Sequence, residues 1–564
     1  MQVAFAYRGR SGVVQTNAGL AVALAPNLRR DRVSFVGTLK QPLRFREAMS
    51  ALHDVVISDL RFKPKDKTGY EEWKKQEAAR EAAIRSEAVK LKRSELEKEK
   101  NRPMPPGLER KYQKCRQRYW DARTKYGNML YREDPELWRM LMPCDPVITV
   151  SPDVLFFECF SADESSYGCL NVERGAFEAE TDIALGTTNV DYSWRLYEHF
   201  QTIRSYRETR FSIDPTGFEV QTTADAAGYR EEKIDLPQSW LRGFSALQSA
   251  MSLPMRRVPV SREGVYALVA FLKRNRAKKS PRAVRFELTP GRPVKIVLEP
   301  WNKEIVLHDT PYPGHREEII RTWGRDRLQV LGRLLPLLDG CDVYLLGTGL
   351  PAFWVARMGE MKLTLGLSGW TANDWTSGGS AIDQLTPPVA PSNDLMKALA
   401  DAFKQTPTWT LDALVAKTRS TASVLSAGLN KLALLGQVIH DLPHGVYRWR
   451  QVMPVTLSAE VVGPDNEETV AARELVGWKC RITSDTTDEK GRRKLVGSVE
   501  ARSSAEVTLD PDDRIVAGKC SCSYFYTGGL RKGPCRHLQA IRNKALGFGD
   551  QGGTLENWFR RFMS

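Results

Sequence analysis

The chain has 564 residues, 42% hydrophobic and 9% aromatic, and its 83 Lys+Arg against 68 Asp+Glu give a formal charge of +15 and a pI of about 9.3. That composition excludes a disordered chain, the length admits about three to five domains, and the charge permits a polyanionic partner without requiring one. No run of about 18 apolar residues occurs and the opening MQVAFAYRGRSGVVQT lacks the apolar core of a secretion signal, so the expectation is a cytoplasmic protein with no membrane partner.

Residues 1–65 read as a small α+β part, with SFVGTL and VVISDLRF as strands around a short helix, FREAMSALHD. Residues 66–138 read as a charged helical hairpin. Its first arm is YEEWKKQEAAREAAIRSEAVKLKRSELEKEK, and NRPMPPG breaks it before the basic second arm LERKYQKCRQRYWDARTKYG. Lys111, Lys114, Arg116, Arg118, Tyr119 and Trp120 on that arm suit either a partner surface or a solvated helical face.

Residues 139–385 read as a mixed α+β scaffold. VITVSPDVLFFECF is strand-like and WRLYEHFQTIRSYR helical, and RFSIDPTGFEVQTT is a hairpin turning at Asp214–Gly217. SWLRGFSALQSAMSL and REGVYALVAFLKRN are helices, RAVRFELTPGRPVKIVLEP is a second hairpin, and REEIIRTWGRDRLQVLGRLLPLL is a helix. The strands CDVYLLG and MKLTLGL follow, then a Gly/Ser-rich stretch and the proline-rich TPPVAPS, the clearest boundary in the chain.

Beyond it, residues 392–452 have a winged-helix order. Ser392 and Thr410 can each cap a helix, and Thr421 or Ser420 begins a third with Leu425, Leu429 and Leu432 on one face. QVIHDLPHGVYRWR then forms a hairpin wing. A DNA-reading role would put the third helix in the major groove, with Arg419, Ser420, Thr421, Ser423 and Lys431 in reach and Arg448 and Arg450 on or beside the wing. A protein-binding role fits the same order, since that helix is poor in charge.

Six of the nine cysteines are scattered, while three cluster with a histidine in CSCSYFYTGGLRKGPCRH, residues 520–537. Clustered cysteines in a reducing compartment favour a metal over disulfides. In a strand, Cys520 and Cys522 point to one face, and a glycine-bearing loop returns the chain to Cys535 and His537 at the start of a helix. A Cys₃His tetrahedron suits one zinc ion, and four protein ligands leave no open position for catalysis, so the expected role is structural. Arg531, Lys532, Arg536, Arg542 and Lys544 make the surroundings basic, for phosphates or for an acidic protein.

This C-x-C…C-x-H pattern, followed by Leu538 and Ala540, resembles the SWIM zinc finger over residues ~470–546, within a C-terminal domain read as 465–564. The resemblance implies Cys520, Cys522, Cys535 and His537 as zinc ligands in a strands–loop–helix fold. The segments GTTNVDYS, IDLPQSWLRGF, ELTPGRPVKIVLEP, HREEIIRTWGRDRL and LGLSGWTANDW resemble a bacterial family of SWIM-finger proteins found alongside a MoxR-type AAA+ ATPase and a von Willebrand A-domain protein. That likeness implies a non-catalytic, DNA- or protein-binding component of a multi-protein ATPase system; by charge, RNA is a further candidate partner.

No catalytic set competes with this. LLGTGLPA contains G-x-G-x-x-A, but Pro351 falls where a dinucleotide site needs a helix. His308, Asp309 and His315 match no helix-borne zinc motif, Tyr167 spoils a D-x-S-x-S match in DESSY, and no P-loop or G-x-S-x-G occurs. The overall reading is a multidomain α+β binding protein without enzymatic activity. A pure protein adaptor and a nuclease-like enzyme in the central region stand as alternatives.

Overall fold

The computed structural model describes residues 5–8, 12–16, 19–24, 26, 32–58, 146–190, 200–205, 208–213, 230–233, 238–276, 282–369, 375, 391–452, 467–477, 479–489, 492–500, 503–509 and 515–547, with single positions at 197 and between 107 and 129. The backbone divides into two units, Leu60–Met142 and the remainder of the chain. In the first, Arg110, Lys111, Lys114 and Arg118 are helical and exposed, as the basic second arm requires. The first arm, together with Arg116, Tyr119 and Trp120, lies outside the described residues.

The larger unit is organised by an eight-stranded antiparallel sheet. Its order is Arg256–Ser261, Gly340–Leu345, Ala352–Met358, Met361–Leu367, Ser166–Glu173, Val154–Phe160, Val147–Val150 and Gly186–Asn189. VLFFECF shows why this sheet is central. Every residue of Val154–Phe160 is buried, so both faces are covered and the strand reads as a continuous apolar run. Leu155, Phe157 and Cys159 enter one core, while Val154, Phe156 and Phe160 enter another.

On the first face lies the helix Pro42–Val56, whose Phe45 meets Phe157, Phe200 and Phe211 edge-on at 5.5–6.1 Å. Its approach is close: a Cβ on Gly168 would stand 2.8 Å from Leu52 Cδ1. On the second face lie the helix Gln238–Met251, through Leu241, Phe244 and Leu247, and then Ile439, Leu442 and Val452 from the 392–452 module.

A five-stranded sheet runs Gly12–Thr16, Gly19–Leu24, Thr209–Ile213, Ser34–Leu39 and Phe177–Ala184. A four-stranded sheet runs Lys303–Pro311, Pro293–Leu298, Val284–Leu288 and Glu318–Thr322. Helices and several separate sheets make this an α+β chain.

Three local readings change. The first helix runs on through Val56, so Val55 and Val56 of VVISDLRF are helical, each buried on the sheet. REEIIRTWGRDRLQV is not a helix. Glu318–Thr322 is a strand with Ile320 and Thr322 turned inward, because two adjacent isoleucines and a threonine favour the pleat. Gly324, at φ 84°, then turns the chain into the 3₁₀ segment Arg325–Val330. Thr209–Ile213 pairs parallel with Gly19–Leu24 and antiparallel with Ser34–Leu39, while the expected turn at Asp214–Gly217 lies outside the described residues. The reading of LLGTGLPA does not change: it leads straight into the strand Ala352–Met358, where a dinucleotide site needs a helix.

Residues 392–452 fold as three helices, Asn393–Gln405, Leu411–Thr418 and Ala422–Leu434, with Ser392, Thr410 and Thr421 as their N-caps. Each hydroxyl accepts the backbone N–H three residues on, as local sequence alone dictates. The hairpin Val438–Asp441 and Val446–Trp449 follows, turning through Gly445 at φ 65°.

Candidate metal centre

The C-terminal module is an antiparallel meander, Cys480–Thr487, Arg493–Val499, Ser503–Leu509 and Ile515–Cys520, with the helices Glu467–Leu475 and Arg536–Ala545. Leu495, Val499, Val507 and Leu509 point to one side of the sheet and meet Leu538, Ala540 and Ile541 of the last helix in a core of their own. The sheet permits this where Gly518 would otherwise place a Cβ 2.8 Å from Leu538 Cδ1.

That helix brings two ligands to the end of the last strand. Cys520 closes the strand Ile515–Cys520. Cys522 lies two residues beyond the strand's end, as N-cap of the short helix Ser523–Gly528, with its Sγ 3.4 Å from the Phe525 N. The intervening segment is therefore not a plain loop: it holds that helix and the 3₁₀ turn Gly529–Lys532. Gly529 and Gly533, at φ 56° and 90°, bend it back where a side chain would be strained. Cys535 is the N-cap of Arg536–Ala545, and His537 sits in its first turn.

The four ligand atoms all lie within 4.8 Å of one another, and Cys520 Sγ stands 3.5 Å from His537 Nδ1. A tetrahedral zinc ion, with Zn–S of about 2.3 Å and Zn–N of about 2.0–2.1 Å, spans about 3.5 Å from sulfur to nitrogen and about 3.8 Å between sulfurs. The donor set thus fits a single ion after a contraction of at most about an ångström. Cys535 and His537 are buried while Cys520 and Cys522 are half-buried, so the ion would be sheltered from one side.

The three thiols act on one another's ionisation. A hydrogen bond from Cys535 is the largest influence on Cys520 and pulls its thiol down to about 4, against the opposing effect of burial. Cys522 is pushed up, chiefly by burial, and Cys535 is pushed up by its bond to Cys520 and then by burial. One thiolate forms readily and its charge suppresses the others. A divalent cation removes that repulsion and lets all three ionise. Among the described residues, no other group of three or more His, Cys, Asp or Glu side chains converges in this way.

The basic residues around the centre are placed unequally. Arg536 is paired with Glu468, Arg542 is buried, and Lys544 Nζ donates to the Gly477 carbonyl at 2.9 Å from an exposed position. The side chains of Arg531 and Lys532 lie outside the described residues. Glu468 and its helix Glu467–Leu475 were not singled out from the sequence. The acidic pair opening EETVAAREL is the signal that marks them, as a helix N-terminus.

In the 392–452 module, Arg419, Thr421 and Lys431 are exposed and Ser420 half-buried, while the Ser423 side chain lies outside the described residues. Arg448 and Arg450 are not on an accessible wing: they are 2% and 3% exposed. Arg448 makes a bidentate pair with Asp153 at 2.7 and 2.8 Å and bonds Asp441 at 2.7 Å, and Arg450 pairs with Glu158. These carboxylates turn the hairpin inward onto the eight-stranded sheet. The third helix is likewise engaged, with Asn430 Nδ2 donating to the Ser249 carbonyl and Ser252 Oγ, and Leu434 O accepting from Ser245 Oγ.

Among the described residues no helix is long and apolar enough to cross a membrane. No protein-family model and no curated protein matches the chain. Among solved structures, it is similar to Proliferating Cellular Nuclear Antigen from Entamoeba histolytica, 10% identical over 40% of this chain and 89% of that one, with a TM-score of 0.27. It is also similar to the PCNA2-PCNA3 complex from Sulfolobus tokodaii, 9% identical over 41% of this chain and 94% of that one, with a TM-score of 0.27. At such scores these likenesses carry no argument about fold or function.

Proposed function

We propose that this chain is a non-catalytic binding protein whose C-terminal module is built on one zinc ion held by Cys520, Cys522, Cys535 and His537. The convergence of those four ligand atoms within 4.8 Å carries the reading. Three thiolates and an imidazole select a borderline-soft, redox-silent ion with tetrahedral preference, which zinc is. With four protein ligands the shell is closed to water, so the ion serves shape and not chemistry. The SWIM resemblance supports the same ligand set. It also suggests the setting, a multi-protein system with a MoxR-type AAA+ ATPase and a von Willebrand A-domain protein. Within it, the chain would meet DNA or RNA through phosphate contacts of the basic residues beside the centre.

A second reading, a protein adaptor with no nucleic-acid role, has an observation of its own. The helix Ala422–Leu434 buries Leu425 and residues 427–430, 432 and 433, and its partner hairpin is tied to the sheet, so little of it is left to enter a groove.

Titration of the zinc-loaded chain with duplex DNA and single-stranded RNA separates the two. Binding at low salt is expected, falling on duplex DNA with a log–log slope of about −0.9 per neutralised phosphate. No binding at low salt removes the nucleic-acid role and leaves the adaptor, which recovery of the ATPase and von Willebrand A partners would then support. DNA left intact after incubation with Mg²⁺ is expected as well, and cleavage would overturn the non-catalytic assignment.

A further inference from the structure

A helix begins with backbone N–H groups that have no partner inside the helix, and the N-cap side chain normally accepts one of them. The helix Arg536–Ala545 cannot use its own N-cap freely, because that residue is Cys535, a member of the ligand cluster. Cys535 makes no side-chain capping bond. The first of those N–H groups, that of Arg536, is met from 68 residues upstream: Glu468 Oε2 accepts it at 2.7 Å. Its other oxygen, Oε1, accepts from Arg536 Nε at 3.0 Å and from Nη2 at 2.5 Å.

This carboxylate is only 8% exposed, so its placement is enforced by packing. Burial alone would raise its pKa, but the side-chain and backbone bonds of Arg536 overcome that and hold it below the usual carboxylate range. At the other end, Lys544 Nζ donates to the Gly477 carbonyl, just past the helix Glu467–Leu475. The two helices are thus pinned together at both ends, and Leu475 shares the module core with Leu538 and Ile541.

We propose that Glu468 is a positioning residue of the metal centre: by accepting the first N–H of the ligand-bearing helix and gripping the Arg536 side chain, it fixes the approach of Cys535 and His537 together. This role rests on the zinc reading above. It adds that two of the four ligands are aimed by a carboxylate through its bonds to Arg536, the residue between them. A negative group at a helix N-terminus is also favoured by the helix dipole, and the Arg536 guanidinium balances its charge.

The test uses the full chain, with zinc affinity measured by competition against a chelator and ligand geometry by the visible spectrum of the cobalt-substituted protein. Glu468→Ala is expected to weaken zinc binding about 10–100-fold, the range typical of residues that orient metal ligands, and to alter the cobalt bands. Glu468→Gln keeps an oxygen acceptor for the Arg536 N–H and is expected to recover much of the affinity. Leu475→Ala is the control for general loss of packing, since Leu475 lies in the same core. If Leu475→Ala and Glu468→Ala weaken zinc binding in proportion to their loss of thermal stability, with cobalt bands unchanged in both, Glu468 is packing support and the proposal falls. Unchanged affinity in Glu468→Ala also overturns it. A wild-type chain that binds no zinc sinks the metal reading itself, which is seen before any variant is compared.

Discussion

Cys535→Ser is expected to empty the metal centre and unfold the C-terminal module, with the eight-stranded sheet left folded. Cys535 is fully buried, at the start of the helix that closes the module. A serine there supplies a poor zinc ligand and leaves three. The apolar core of the module is small, drawn from a few strand residues, one face of the last helix and Leu475 of the helix Glu467–Leu475. A core of that size gives little stability alone, whereas a structural zinc ion contributes an apparent binding energy of about 10–16 kcal/mol that is also folding energy. Elemental analysis should fall from one zinc per chain towards none. Hydrogen exchange should show lost protection across residues 480–545 and retained protection in the central strands. A variant with full zinc content and an unchanged exchange pattern would refute the structural role.

The second large effect is expected from Arg450→Met. Arg450 and Glu158 are buried on the second face of the sheet, and Glu158 Oε1 also accepts the Tyr167 hydroxyl at 2.5 Å. Attraction in such a place mostly offsets the cost of stripping water from both ions. Removing the arginine alone therefore leaves a carboxylate without its counter-charge in an apolar layer, at a cost of about 3–5 kcal/mol. The double variant Glu158→Leu with Arg450→Met has no such orphan and should regain most of the loss. Denaturant midpoints for the four proteins of this cycle measure it. A single variant within about 1 kcal/mol of wild type would mean that water reaches the site and the pair is not sealed.

What could be read from the sequence was what is local. The caps Ser392, Thr410 and Thr421 were legible because each bonds a backbone group three residues away. The ligand cluster was legible because all four members fall between residues 520 and 537 and their chemistry is distinctive. Even there, the placement of Cys522 shifted by one element, since the strand ends at Cys520 and a helix begins at once. Glu468 was out of reach because its partner is 68 residues away and one acid in EETVAAREL looks like another. Glu158 is the one charge inside VLFFECF, but nothing local names an arginine 292 residues on. EIIRTWGRDRL misled because its charges recur at helical spacing, while the inward turn of Ile320 and Thr322 is set by strands elsewhere in the chain.

The inward hairpin also bears on how this protein can be divided. By composition, the proline-rich stretch before residue 391 is the most inviting place to cut. A fragment ending there would lose Arg448 and Arg450 together, stranding Asp153 and Glu158 without these cations. It would also strip Ile439, Leu442 and Val452 from the layer that covers Phe156 and Phe353. The most visible seam in the sequence is thus not a seam in folding: residues 392–452 complete the scaffold and are not a detachable appendage to it.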